Sequence, residues 1–289
     1  MKRSDILIAI GEYMKTKVAL IILLISAGFV SAQTETELFP DKLNIQPFTA
    51  NTLEPKLGFV FQLNENKLDL DIGNSMDIVQ WKDGYSTYSL GADLFTYTLL
   101  RKEVNFHFPV EAVDYLFGIN FSYKKQVHNY SFGFRGRISH ISAHFVDGHY
   151  DEFTNQWMNG LDPMVYSREF IELMPFYEFD NFRAYFGGTY NYHIDPNRLG
   201  KVNFQFGFDY FFKNKISDIV TPFLGYDCRF VKVQSYYSGN NSLNIGVKFG
   251  KPGGKGLSIY YRYYDGNDLH GEYVDFKSTF SAIGINLDL

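Results

Sequence analysis

The segment RISHISAHFVDGHYDE, residues 137–152, carries three of the seven histidines of the chain. His140 and Ser142 stand two apart within it. On a β-strand that spacing puts an imidazole and a hydroxyl on one face, about 7 Å apart along the backbone. A base beside a serine is what nucleophilic catalysis needs, provided a third group orients the histidine. Asp147, Asp151, Glu152 and Asn155 follow closely enough to supply that group from a loop, and Glu152 is the residue carried forward. A plainer reading makes His140 and Ser142 a polar rim that meets lipid headgroups or water. His140 and His144 would share a metal on a helix, but on a strand they lie about 13 Å apart, so no metal site is read here.

The surrounding pattern shows which elements position these residues. In KVNFQFGFDYFF, residues 201–212, Val202, Phe204, Phe206, Phe208, Tyr210 and Phe212 take every second place, and Asn203, Gln205, Gly207 and Asp209 fall between. Leu243, Ile245, Val247 and Phe249 repeat the arrangement, as do Leu257, Ile259, Tyr261 and Tyr263. Twelve such stretches are read: 57–64, 67–81, 86–99, 115–124, 129–145, 168–178, 182–193, 202–212, 219–233, 242–250, 257–264 and 277–289. Several approach the nine to eleven residues that a tilted strand needs to cross a bilayer. Short connections (124–129, 179–181, 213–218, 251–256) alternate with longer ones (100–114, 146–167, 194–201, 234–241, 265–276). The expected fold is therefore all-β: a transmembrane antiparallel β-barrel of about twelve strands, with short periplasmic turns and longer outer loops. Its aromatic wall faces lipid and its polar wall a lumen, since a closed barrel satisfies every backbone group in hydrocarbon.

Composition agrees. Aromatic residues make up 18% of the 289 residues, with 29 Phe and 22 Tyr. A net charge of −5 gives no footprint for nucleic acid. The single cysteine, Cys228, excludes an intrachain disulfide framework and reads as a small hydrophobe. Met14-Lys15-Thr16-Lys17, the apolar run 18–30 and Val30-Ser31-Ala32 read as a secretory signal peptide with Met14 as its start. The expected organisation is a signal peptide over 1–32, an extended periplasmic lead-in over 33–55 and a barrel over 56–289, in the outer membrane of a Gram-negative cell. Expected partners are outer-membrane lipid and the barrel-assembly machinery during biogenesis.

On strand 129–145, Phe132, Phe134, Ile138, His140, Ser142 and His144 share the lipid-side face. The inward candidates carry both signs: Arg135, Arg137, Arg183, Asp209, Asp227, Arg229, Lys248 and Arg262. Such a mixture suits internal ion pairs, since buried charges need partners. A narrow channel and a packed polar core both fit it. Gly253-Gly254-Lys255-Gly256 lacks the spacing of a phosphate loop and reads as a turn. Asp265, Asn267, Asp268 and Glu272 do not make a calcium-binding register. No cofactor or metal is expected.

Two resemblances rest on these residues. The His140-x-Ser142 pair resembles that of outer-membrane phospholipases and lipid A deacylases, where it faces the outer leaflet. Residues from Asp114 to about Phe170 resemble a family of uncharacterised Gram-negative outer-membrane proteins, a domain of unknown function. Its pattern is an Asp-Tyr-x-x-Gly strand start followed by His-x-Ser-Ser-His-x-x-Asp-Glu. Asp114, Tyr115 and Gly118 match the first part, and His140, Ser142, His144 and Asp147 the second. Ala143 and Gly148 depart from it, with Glu152 a substitute for the glutamate. The Pro-rich stretch 37–59 is also similar to that family's entry segment. The resemblance implies a barrel and no activity. The leading expectation is a non-enzymatic barrel, structural or a narrow passive conduit. The first alternative is a lipid acyl hydrolase using Ser142 and His140, and the second a surface ligand-binding or adhesion barrel acting through loops 146–167 and 265–276.

Overall fold

The computed structural model describes residues 34–54, 57–212 and 219–288. Its strands are β1 Glu35–Leu38, β2 Leu57–Gln62, β3 Lys67–Asp83, β4 Ser86–Arg101, β5 Val110–Val127, β6 Tyr130–Phe145, β7 Tyr150–Asp151, β8 Gln156–Trp157, β9 Tyr166–Phe179, β10 Phe182–Asp195, β11 Val202–Phe211, β12 Val220–Val233, β13 Tyr236–Gly250, β14 Gly256–Asn267 and β15 Lys277–Asp288. Twelve of them pair antiparallel with both neighbours and close into a barrel, β15 on β2 and β3 on both β2 and β4. β7 and β8 form a small hairpin inside the longest loop.

Alternation drives the closure. Phe204 and Phe206 lie exposed on the outer face of β11, whereas Asn203, Gln205 and Asp209 are buried inside. The outer rings also touch across strands, as Phe206 does Phe230 with centroids 6.1 Å apart. Two-residue hairpins sit at 84–85, 128–129, 180–181 and 234–235. Each begins on a residue of positive φ, namely Gly84, His128, Asp180 and Gln234, the backbone that matches the twist of paired strands. All but the last of these hairpins lie at one end of the barrel. The longer connections 102–109, 146–165, 196–201 and 268–276 gather at the other.

Two expectations change, and one strand departs from strict alternation. The loop read at 234–241 is only the turn 234–235, because Ser238, Asn240 and Ser242 face a polar interior that accepts them in a strand. β3 loses its sequence alternation because a bulge between Asp77 and Val79 inverts its phase, which leaves Val79 and Gln80 both buried. The segment read as a periplasmic lead-in does not trail away from the barrel. β1 joins the sheet on β3 at Val79–Lys82, and residues 44–54 pass inside the lumen. The signal peptide, the turn 213–218 and Leu289 lie outside the described residues.

Inside the lumen the inserted segment is held from many sides. Its Asn44 amide donates to Asp77 at 2.7 Å. Arg183 donates to the Gln46 and Pro47 carbonyls, each at 2.7 Å. Phe48 stacks on Tyr185 with centroids 3.8 Å apart, between the guanidinium groups of Arg135 and Arg183. Asn244 donates to the Thr49 carbonyl at 3.0 Å, and Tyr97 to the Leu53 carbonyl at 3.0 Å. Glu54 ends the segment. It accepts from the Phe48 amide at 2.8 Å and lies 2.7 Å from Arg137, with Arg135 on both its oxygens.

Toward the long-loop end the interior turns apolar. Phe95, Tyr97, Leu116, Ile141, Tyr166 and Phe170 pack with Leu199 from the 196–201 connection and Val274 from the 268–276 loop. That loop is pinned by the Gly271 amide on Asp114 at 2.8 Å. Glu272 accepts the Phe145 and Met164 amides. Gly271 lies so near Tyr166 that an added Cβ would come within 2.4 Å of its ring. Segment and cap together occupy much of the barrel, and cavities of about 250, 60 and 340 Å³ remain beside them.

Glu54→Gln leaves the buried Arg135 and Arg137 short of a carboxylate and should lower stability by on the order of 3 kcal/mol, read from gel-mobility midpoints for heat unfolding. His270 lies in the 268–276 loop. Burial lowers its pKa, but the hydrogen bond to Asp268 and the carboxylates of Asp114, Asp268 and Asp69 raise it to about 9. Its contribution is complete below about pH 6.5 and lost as pH rises through about 9. Protease cleavage in the 268–276 loop should accelerate across that upper window in the parent and already be fast at neutral pH in His270→Gln.

Candidate active site

β6 carries Phe132, Phe134 and Ile138 on its outer face, then His140, Ser142 and His144 toward the long-loop end. Arg135, Arg137 and Ser139 alternate inward and are buried. Across the ladders, His140 stands between Phe117 of β5 and Glu169 of β9, and Ser142 between Tyr115 and Ser167. The apolar outer band formed by Ile119, Ile138, Ile171 and Leu173 thus gives way within one residue pair to a polar patch.

Glu169 organises that patch. Its Oε1 lies 2.6 Å from His140 Nδ1 and accepts from the Ser167 hydroxyl at 3.2 Å. Its Oε2 receives His193 Nδ1 from β10. A carboxylate can only accept, so Nδ1 is the ring nitrogen through which His140 donates to Glu169, and in the neutral ring that leaves Nε2 as the acceptor. Phe117 packs on the ring with centroids 4.9 Å apart. The imidazole is therefore fixed in tautomer and supported on one side, which is how an orienting acid prepares a base for a hydroxyl. Ser142 is the hydroxyl two residues along the same face. Among the described residues its Oγ has no hydrogen-bond partner, so closing the bond to Nε2 requires a side-chain turn, as often in unliganded sites.

The acid that contacts His140 is therefore not one of the loop residues expected from the sequence. Glu152 stands exposed on the turn between β7 and β8, with no bond to His140. Asp147 accepts the amide of Gly148 at 3.0 Å, and Asp151 those of Phe153 and Thr154. Asp114 faces the interior beneath the cap, and its neighbour Tyr115 lies outside near His144, with ring centroids 6.3 Å apart. Glu169 does carry a sequence signal: in YSREFIEL it is an acid on the outward phase beside Ile171 and Leu173.

The charges read as lumenal lie in the interior and pair there. Arg135 and Arg137 meet Glu54, Glu172 and Asp93. Arg183 meets Asp209, and Lys248 meets Asp288. Asp227 accepts from Tyr185 and Gln205 at 2.7 and 2.6 Å. Arg229 reaches Asn51 of the inserted segment at 2.9 Å, and Arg262 reaches Asn244 at 3.1 Å. No group of His, Cys, Asp and Glu among the described residues is placed to hold a metal.

Comparison with solved structures places the fold among outer-membrane barrels. The chain is similar to outer membrane phospholipase A from Escherichia coli, at 12% identity over 85% of this chain and 94% of that one, with a TM-score of 0.50. It also aligns with OmpT, an outer membrane protein of Vibrio cholerae folded in vitro, at 10% identity over 82% and 98% of the two chains, with a TM-score of 0.36. At such identities the likeness is one of fold. No curated protein matches the chain. Residues 108–288, from just before β5 through β15, match a protein family of unknown function. The chain belongs to that family, DUF1207.

Proposed function

We propose that this barrel sits in the outer membrane and cleaves acyl-ester bonds of outer-leaflet lipids, with Ser142 as nucleophile, His140 as base and Glu169 as the orienting acid. The observation that carries this reading is the 2.6 Å contact of Glu169 on His140 Nδ1, on the outside of the wall and next to the apolar band. His140 Nε2 takes the proton as Ser142 Oγ attacks the ester carbonyl, and returns it to the departing alcohol. Water, activated in turn by His140, then splits the acyl-serine and frees the fatty acid. With the long loops outside the cell, the site meets the headgroup boundary, where ester bonds lie. The fold likeness to a phospholipase supports the reading. Insertion by the barrel-assembly machinery and the exported location belong to the same proposal.

A second reading has its own support. The inserted segment and the apolar cap occupy much of the interior, which favours a structural barrel over a passive conduit and leaves the outer patch as a headgroup-binding rim. Fatty-acid release from mixed micelles of phospholipid, or of lipopolysaccharide, by folded purified protein separates the two. Release by the parent should fall by about 10³-fold or more in Ser142→Ala and His140→Ala, and by about 10²- to 10⁴-fold in Glu169→Gln, with gel mobility before and after heating unchanged. No release by the parent from either lipid class would leave the structural barrel.

A further inference from the structure

Glu169 is held on both oxygens, and its second partner is a histidine that the triad reading does not use. His193 Nδ1 donates to Oε2 from β10 while His140 Nδ1 takes Oε1 from β6. The carboxylate is thus clamped between imidazoles of the two strands that flank its own. The placement of His193 depends on an irregularity. The β9–β10 register runs from Asn191 opposite Phe170 directly to His193 opposite Glu169. The bulge adds one residue, Tyr192, and both Tyr192 and His193 then point outward. In an unbroken ladder Tyr192, not His193, would face Glu169. Bulges that re-aim one side chain recur beside functional sites.

We propose that His193 is a positioning residue of the site: by holding Oε2 it stops the Glu169 carboxylate from rotating and keeps Oε1 on His140 Nδ1. This rests on the hydrolase reading for its kinetic consequence, but not for the geometry. Held by one partner, a carboxylate on an exposed face turns about its last side-chain bond and shares its oxygens with water. Two opposed donors from separate strands remove that freedom, and the Ser167 hydroxyl on Oε1 adds a third restraint. The competing explanation is an ordinary surface ion pair, since the His193 side chain is 63% exposed. Such pairs contribute little, and its loss would leave His140 as it was.

The test uses the full-length folded barrel in detergent micelles. His193→Phe removes the donor, and His193→Gln keeps an N–H directed at Oε2. With a phospholipid micelle substrate, His193→Phe should lower kcat by about 10- to 100-fold with KM within about twofold, and His193→Gln should recover most of the loss. Glu169→Gln and the double variant Glu169→Gln/His193→Phe should be equally slow, because His193 acts only through Glu169. Nitrogen NMR of 15N-histidine-labelled protein reads the same geometry without activity. The parent should show His140 as the Nδ1–H tautomer, and His193→Phe should shift it toward a tautomer mixture that His193→Gln reverses. Unchanged kcat together with an unchanged His140 signal in His193→Phe would overturn the proposal. A parent that releases no fatty acid but loses its fixed tautomer in His193→Phe would uphold the positioning role while discarding the hydrolase reading.

Discussion

The sheet has to close, because a strand edge left open to hydrocarbon has no water to satisfy its amides and carbonyls. Closure here runs through the shortest barrel strand, the six-residue β2, which joins β15 to β3. Once the ring is shut, strand geometry gives each residue one of two faces, outer or interior. Phe186, 67% exposed, and Arg183, 7% exposed, stand three residues apart on β10. The outside can be assembled from interchangeable aromatic and branched residues. The inside cannot, because each charge admitted there must find its partner within the wall or be brought one.

That requirement explains the inserted segment. Arg135 and Arg137 point into the lumen two residues apart, and Glu172 and Asp93 lie near them at 3.2 to 3.7 Å. Glu54 brings a carboxylate to a closer position on both guanidinium groups. A buried ion pair is weak evidence for net stability, but breaking one leaves an uncompensated charge. The chain before β2 is thus tied into the barrel as firmly as the strands. The same pairing takes up most of the interior charge, and an apolar cluster packs toward the long-loop end.

Much of the barrel was legible in the sequence, because period-two alternation is a local signal and neighbouring hairpins are local contacts. The inward arginines and the outward His140 and Ser142 follow from parity alone. Parity fails where the backbone slips, as at the Asp77/Val79 bulge in β3, and where polar residues make a strand look like a loop, as at Tyr236–Asn241. The inserted segment was opaque for another reason. It has no period, and its order comes from contacts with residues up to 195 positions away, as between Thr49 and Asn244. Glu169 lies 29 positions from His140 across the longest loop. Only the β6–β9 register makes them neighbours, and no spacing rule encodes that register.

The outer patch is the part of the wall that folding does least to explain. Ionisable residues on the lipid face of a barrel cost more the deeper they sit, and three of them, His140, Glu169 and His193, stand on adjacent strands just past the apolar band. A rim that only had to meet headgroups would be served by tyrosines, as Tyr190 and Tyr192 serve it on β10 itself. Here Glu169 spends both oxygens on its neighbours. A bulge turns His193 toward it, and Phe117 supports His140 from the far side. Holding one imidazole in one tautomer is a large arrangement for a surface that has only to be wet. Under the proposed chemistry that imidazole has a proton to move, and Ser142 carries a hydroxyl two residues along the same face.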